Sequence, residues 1–299
     1  MGEVGRGKGR DSVRYLGIDG GGSKTTFLLV DEYYNEICHV QAGPSNWLSV
    51  GADAAKEAIS QGISSLTEPP DIVCAGFAGA ARSDSAAFYK EVLQSLIPGA
   101  QIIVESDAFI ASIGAIGIDP GILLIAGTGS IVIGRNKERS MFRVGGWGPH
   151  FGDEGSGFWI GREAVRAALR SMDLQGPVEF ANRIANRLGL KSISEAVSAW
   201  STGKVGVPDI AGLFPEVVSV YPNEPSNRIL HEAASHLRSM VDIASKRVGM
   251  DNCRKSLSGS VASHPIMRQL IGLDFEEPRH SPEWGAVIWA RQHFTTEAL

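Results

Sequence analysis

The segment Asp19–Gly20–Gly21–Gly22–Ser23–Lys24–Thr25 gathers one carboxylate, three glycines, two hydroxyls and one amine. Adjacent glycines cost conformational entropy, so three in a row imply backbone that approaches something closely or takes positive φ. A nest of N–H groups beside Ser23 and Thr25 suits phosphate oxygens, and Lys24 adds charge. Asp19, at the end of the preceding strand, could hold Mg²⁺ through water. A plain tight hairpin accounts for the same residues, and this motif alone leaves both readings open. A second segment, Ala126–Gly127–Thr128–Gly129–Ser130, repeats the pattern, and two such turns can grip one polyphosphate from opposite sides. A third small-residue turn, Leu257–Ser258–Gly259–Ser260–Val261, would let a flat adenine ring lie against backbone.

Carboxylates supply the remaining chemistry. Asp107 follows a buried strand and opens a helix, so it reads either as an N-cap or as a general base aimed beside the strand ends. Glu105 is the rival carboxylate, with its side chain expected on the other face of the strand. Residues 145–157 (Gly145–Gly146–Trp147–Gly148–Pro149–His150–Phe151–Gly152–Asp153–Glu154–Gly155–Ser156–Gly157) hold six glycines with two acids, a histidine and a tryptophan. Such a loop cannot pack a core and reads as a binding loop. Asp153 can accept from two sugar hydroxyls, while Glu154 can instead begin the next helix. His150 reads as a loop residue, and Trp147 and Trp159 as packing residues.

The elements that must position these groups alternate. Strands are expected at 15–18, 25–30, 36–40, 72–75 and 102–104, with helices at 52–66, 85–97 and 107–116. A hairpin follows at 122–135. Strand, glycine turn, strand excludes a P-loop or dinucleotide turn, in which a helix follows the glycines. Residues 158–171 form an amphipathic helix, the stretch 177–248 is helical almost throughout, and its last helix runs from 226 to 248. A strand at 255–257 and helices near 264–270 and 283–293 close the chain. The alternation argues an α/β fold.

Composition narrows the partners. Of 299 residues, 43% are hydrophobic and 20% charged, with a net charge of −5, which is an ordinary globular mixture. No basic stripe tracks a phosphate backbone, so nucleic acid is not an expected partner. Cys38, Cys74 and Cys253 form no close pair, which supports neither a zinc knuckle nor a disulfide framework and suits a reducing cytoplasm. The apolar stretch 114–134 is broken by Asp119–Pro120 and by the glycine turn, so no membrane span is expected. Residues 1–14 are polar and read as a mobile tail without a signal-peptide core.

The order of these segments resembles the acetate kinase/sugar kinase/hsp70/actin superfamily, and within it the BadF/BadG/BcrA/BcrD-type ATPases and their N-acetylglucosamine and glucosamine kinase branch. The resemblance runs from Tyr15 to about Ala290. Residues 15–25 look like the first phosphate motif, 105–115 the first connecting motif and 125–130 the second phosphate motif. Residues 257–265 look like the adenosine motif, 283–290 the second connecting helix, and 145–157 the glycine-rich loop of amino-sugar kinases.

This resemblance implies two ribonuclease-H-like (actin-like ATPase) lobes, each around a five-stranded mixed sheet, with MgATP and sugar in an interlobe cleft. The lobes would span 15–118 and 119–299, with a helical insertion around 158–250 and the last helix free to return to the first lobe. By position, Asp107 would be the base that takes the proton of the sugar 6-hydroxyl. Asn46, Gly145 and Asp153 would be further sugar contacts. ATP would lie on Gly20, Gly21, Gly22, Ser23, Lys24, Thr25, Gly127, Thr128, Gly129, Ser130, Gly259 and Ser260, with Mg²⁺ held through water by Asp19. Two departures from the family pattern stand out: Ile131 where acetyl-hexosamine kinases can carry Asn, and Ser258 where glycine is common. The expected activity is ATP-dependent phosphorylation of glucosamine or N-acetylglucosamine in the cytoplasm. The expected partners are sugar and ATP, and a homodimer is compatible with the chain. The rivals are an ATPase activator of a 2-hydroxyacyl-CoA dehydratase or benzoyl-CoA reductase system and a non-catalytic sugar-sensing module.

Overall fold

The computed structural model describes residues 12–250 and 252–296. They divide into two units, one holding the residues up to Ile118 and those from Arg279 on, the other Asp119–Pro278. Residues 1–11 of the expected tail lie outside the described residues. The tail reading fails at Arg14, which is buried and paired with Glu68 and Asp71, while its carbonyl accepts from the Asp71 and Ile72 amides.

In the first unit, β1 (Tyr15–Gly20), β2 (Thr25–Val30) and β3 (Glu36–Ala42) form an antiparallel meander. Two short helices follow, α1 (Trp47–Val50) and α2 (Ala52–Ser64). Next come β4 (Ile72–Phe77), α3 (Ser83–Leu96), β5 (Gln101–Ser106) and α4 (Asp107–Ile116). β4 and β5 extend the sheet in parallel, giving the order β3-β2-β1-β4-β5. β2 and β4 are buried at every position, as strands are when helices cover both faces of a sheet. On one face Ile18, Phe27 and Phe77 pack with Ile59 of α2 and with Tyr89 and Leu93 of α3. On the other, Leu28 and Cys74 meet Ile110 of α4 and Ala286, Val287 and Ala290 of the last helix, Pro282–Thr296. That helix belongs to this unit because small residues let it close in. A Cβ on Gly17 would collide with the Glu283 carbonyl, and one on Gly285 with the Ile110 carbonyl.

The second unit repeats the hairpin. β6 (Gly121–Ala126), β7 (Ser130–Arg135) and β8 (Met141–Gly145) are antiparallel, and β9 (Arg254–Ser258) lies parallel to β6, in the order β8-β7-β6-β9. Among the described residues this sheet has four strands, where five were expected. A single parallel bridge between Ser256 and Glu276 stands at the fifth position, two residues before Pro278, which lacks the N–H needed to extend a ladder. Between β8 and β9 run α5 (Gly157–Asp173), α6 (Glu179–Arg187), α7 (Ala196–Ser201), α8 (Val207–Ala211), α9 (Phe214–Val220) and α10 (Ser226–Val248). α11 (Pro265–Ile271) follows, which makes the last helix α12. α10 lays Ala233, Leu237, Val241, Ala244 and Val248 into the core, with the spacing of a single helical stripe. Among the described residues no helix is long and apolar enough to cross a membrane.

Candidate active site

The first glycine turn joins β1 to β2. Gly20 pairs with Thr25, and the Gly21 N–H donates to the Lys24 carbonyl at 3.0 Å. None of the three glycines takes positive φ, and close approach requires a glycine only at Gly20. A Cβ on Gly20 would collide with the Phe77 ring, whereas one on Gly22 would meet nothing within 4 Å. Gly22, Ser23 and Lys24 are exposed and offer their polar groups outward. Thr25 differs from its expected role as a phosphate contact. It is fully buried, and its hydroxyl is bonded to the Gly43 carbonyl and to Ser45 Oγ, each at 2.8 Å.

That tie leads to Asn46. The Ser45 and Asn46 amides both donate to the Gly21 carbonyl, at 3.1 and 3.2 Å, so the 43–47 turn is seated on the glycine turn. Asn46 caps α1, its Oδ1 accepting from the Leu48 amide, which leaves the Nδ2 end of the carboxamide as the donor for a ligand.

For Asp107, the structure separates the cap from the acid. Ser106 is the N-cap of α4, its hydroxyl accepting from the Phe109 amide at 3.2 Å, and Asp107 is the first helical residue. Asp107 Oδ1 accepts from the Ala108 amide at 2.8 Å. Burial holds its carboxyl above the usual range. Asp19 is more strongly perturbed: burial, then the charges of Asp107 and Glu283, push its carboxyl up to about 7, against an opposing pull from Lys24. Glu105 points away as expected, accepting from Trp289 Nε1 of α12 at 3.2 Å. Glu283 was not singled out in the sequence. It follows Pro282 at the start of α12, and its carboxylate accepts from Ser281 Oγ and lies 3.5 Å from His39 Nε2.

A half-buried carboxyl raised first by burial and then by two neighbouring acids is one that a cation would relieve. Among the described residues no group of three or more His, Cys, Asp or Glu side chains could cage a metal. A single such carboxyl suits an ion held through water, as Mg²⁺ is when it keeps most of its waters and takes few protein ligands.

In the second unit the Gly127–Thr128–Gly129 turn closes with the Gly127 N–H on the Gly129 carbonyl at 2.9 Å, and Thr128 is exposed. Ser130, expected to face phosphate, is buried and donates its hydroxyl to the Glu154 carbonyl at 2.8 Å, so it ties the 145–157 loop to the hairpin. The loop needs its glycines: Gly145, Gly146, Gly148 and Gly155 have φ between 71° and 85°, and Asp153 itself sits at 57°. The Asp153 carboxylate accepts from the Ser130 and Gly148 amides and is raised by burial. It lies over the turn, where a Cβ on Gly129 would come within 2.8 Å of its Oδ2.

Two readings of this loop change. α5 begins only at Gly157 behind a Ser156 cap, so Glu154 precedes the helix. Trp159 packs in the core as expected, but Trp147 is 65% exposed, with the Arg143 guanidinium 3.9 Å over its ring. His150 is exposed, in keeping with a loop residue. The third turn is seated on β6, the Val261 and Ala262 amides both donating to the Ala126 carbonyl. Gly259, at φ 95°, leaves no room for a side chain against that carbonyl, and Ser260 is exposed.

Two units built on one plan, each carrying a glycine hairpin beside a parallel strand, define the actin-like ATPase architecture. Residues 16–290 match the model of the BadF/BadG/BcrA/BcrD ATPase family, and the chain belongs to that family. It is 36% identical to an N-acetylmuramic acid/N-acetylglucosamine kinase of Clostridium acetobutylicum, over 92% of this chain and 97% of that one. To an N-acetyl-D-glucosamine kinase of Dictyostelium discoideum it is 29% identical, with the same 92% and 97% coverage. A crystal structure of a provisionally named N-acetylglucosamine kinase from Chromobacterium violaceum superposes with a TM-score of 0.75. That likeness covers 92% of this chain and 98% of the other at 23% identity, and it establishes the fold.

Proposed function

We propose that this chain is a cytoplasmic ATP-dependent kinase that transfers the γ-phosphoryl group to the 6-hydroxyl of an amino sugar, glucosamine or N-acetylglucosamine. The observation that carries the reading is Asp107: a half-buried carboxylate at the first position of α4, relieved of capping by Ser106 and close enough to Asp19 to perturb it. The names of the curated relatives support the substrate class.

Asp107 is the base that accepts the 6-hydroxyl proton, and its raised affinity for protons suits that task. Asn46 Nδ2 donates to the sugar, and the Gly145 backbone and the Asp153 carboxylate bind its hydroxyls. The turn from Gly20 to Lys24, exposed at Gly22, Ser23 and Lys24, together with Gly127, Thr128, Gly129, Gly259 and Ser260, takes ATP, while Thr25 and Ser130 brace their turns. Asp19 would hold Mg²⁺ through water, and the bound ion would neutralise charge on the phosphate oxygens. Phosphoryl transfer asks for little covalent work from the protein, so positioning and electrostatics carry it. A coupled ADP-release assay across glucosamine, N-acetylglucosamine, glucose, mannose and N-acetylmuramate tests the reading. Release stimulated by amino sugars supports it, and release indifferent to every sugar overturns it.

The sister activity, an ATPase activator, needs cysteine ligands for an iron cluster. Cys74 and Cys253 are buried, Cys74 with its thiol pushed well up by burial, which disfavours the thiolate that ligates iron. Iron analysis of the purified protein separates the two. A sensing module would need no base at Asp107.

A further inference from the structure

The turn that carries Asn46 is held from beneath by a tyrosine that reaches it from 44 residues away. Tyr89, on α3, is fully buried, and its ring is stacked on Phe77 at 3.9 Å and 9°. Phe77 is the ring that fills the space beside Gly20. The Tyr89 hydroxyl donates to the Ser45 carbonyl at 2.8 Å and accepts from the Trp47 amide at 3.1 Å. Those two backbone groups flank Asn46 on either side. On its other side the turn is tied to the glycine hairpin, through the Ser45 and Asn46 amides on the Gly21 carbonyl and through Thr25 on Ser45 Oγ. One buried hydroxyl thus spans the residue before and the residue after Asn46. A purely packing role would need only the ring.

We infer that Tyr89 is a positioning residue for the sugar acceptor: its hydroxyl fixes the backbone around Asn46 so that the Nδ2 donor meets the sugar. The inference rests on the assignment of Asn46 to the sugar. Tyr89 does not touch substrate and acts through Asn46, so its loss raises the KM for sugar and leaves the KM for ATP in place. Tyr89→Phe keeps the Phe77 stack and deletes only the hydroxyl.

The experiment is a kinetic double-mutant cycle of Tyr89→Phe and Asn46→Ala, with a melting curve for each protein. Tyr89→Phe is expected to raise the sugar KM roughly tenfold, the effect of one misplaced hydrogen bond, with ATP KM and kcat within about twofold. In the Asn46→Ala background the same change is expected to add nothing. Hydrogen exchange at the Trp47 amide, which loses its acceptor, should quicken while exchange in β1 and β4 holds. Ser45→Ala, which unties the turn from Thr25 and keeps both Tyr89 hydroxyl bonds, is the control: the sugar KM should stay within about twofold, and a rise equal to that of Tyr89→Phe overturns the inference in favour of the Thr25 tie.

An unchanged sugar KM in folded Tyr89→Phe overturns the inference while leaving Asn46 in place, provided Asn46→Ala itself raises the sugar KM. Equal losses for sugar and ATP overturn it in favour of a merely structural role. An Asn46→Ala protein with normal sugar KM overturns the Asn46 assignment, and the inference falls with it.

Discussion

The Asp107 carboxylate lies close enough to Asp19 for its charge to help hold Asp19 up at about 7, after burial and ahead of Glu283. This fixes a pH dependence. A carboxyl whose folded-state affinity for protons exceeds that of the unfolded chain stabilises the fold while protonated. That stability is fully present below the unfolded value near 3.8 and is lost as pH rises through about 7. In Asp19→Asn the loss cannot occur. Urea unfolding in the absence of Mg²⁺ should therefore show the wild type weakening between about pH 4 and pH 7 by up to about 4 kcal/mol relative to Asp19→Asn. Parallel stability curves for the two proteins would mean that the carboxyl is not perturbed.

Ser106 and Asp107 divide two duties that adjacent cap-forming residues leave ambiguous in the sequence. With Ser106 as the cap, Asp107→Asn should barely move the melting temperature. If Asp107 is the base, kcat falls by about 10²–10⁴-fold while sugar and ATP still bind. Ser106→Ala should do the reverse, costing about 1 kcal/mol of stability for the lost cap. A near-normal kcat in Asp107→Asn would remove it from the chemistry.

How legible all this was depends on the range of the interactions. α4 and α10 match their expected bounds because each repeats its own pattern over ten or more residues. β8 leaves no signal in the sequence, since Arg143 and Gly145 break its apolar run and only pairing with β7 makes it a strand. The glycine turns were found from composition, but not that Thr25 and Ser130 turn their hydroxyls inward: their partners Gly43, Ser45 and Glu154 lie 18 to 24 residues away. Tyr89 carried no signal at all, being one aromatic residue on an amphipathic helix. Glu283 had only its place beside Pro282.

The two glycine turns should respond differently to one methyl group. Gly22→Ala adds a Cβ into open space at ordinary φ, so the fold should be untouched. If phosphate lies there, the KM for ATP rises and the KM for sugar stays. Gly129→Ala instead drives a Cβ into the Asp153 carboxylate, so sugar and ATP binding should both suffer. Isothermal titration calorimetry on each variant reads the split. Normal ATP binding in Gly22→Ala would make the first turn a hairpin and nothing more.

The Ser130 and Gly148 amides pull the Asp153 carboxyl down against the upward push of burial. A charged hydrogen bond from such a group is worth about 1.5–3 kcal/mol, and Asp153→Ala should weaken sugar binding by about 10–150-fold. ATP affinity should hold. Equal losses for both ligands would signal collapse of the 145–157 loop, whose glycines give it wide conformational freedom once its contacts are lost.

If the chain phosphorylates an amino sugar, the choice between glucosamine and N-acetylglucosamine is expected to turn on Ile131, the first residue after the Gly127–Ser130 turn. Its side chain packs against Gly146, where an added Cβ would come within 2.6 Å of Ile131 Cδ1, so it belongs to the wall of the loop that carries Gly145 and Asp153. An unpaired amide buried against such a wall costs about 1–3 kcal/mol, and isoleucine offers the acetyl carbonyl no donor. Glucosamine escapes that cost, since its amine need not enter the wall. The expected outcome is a kcat/KM for glucosamine at least equal to that for N-acetylglucosamine, with Ile131→Asn shifting the ratio toward the acetylated sugar. A preference of about tenfold or more for N-acetylglucosamine in the wild type, about 1.4 kcal/mol, would show that another residue pairs with the acetyl group and that Ile131 only packs Gly146.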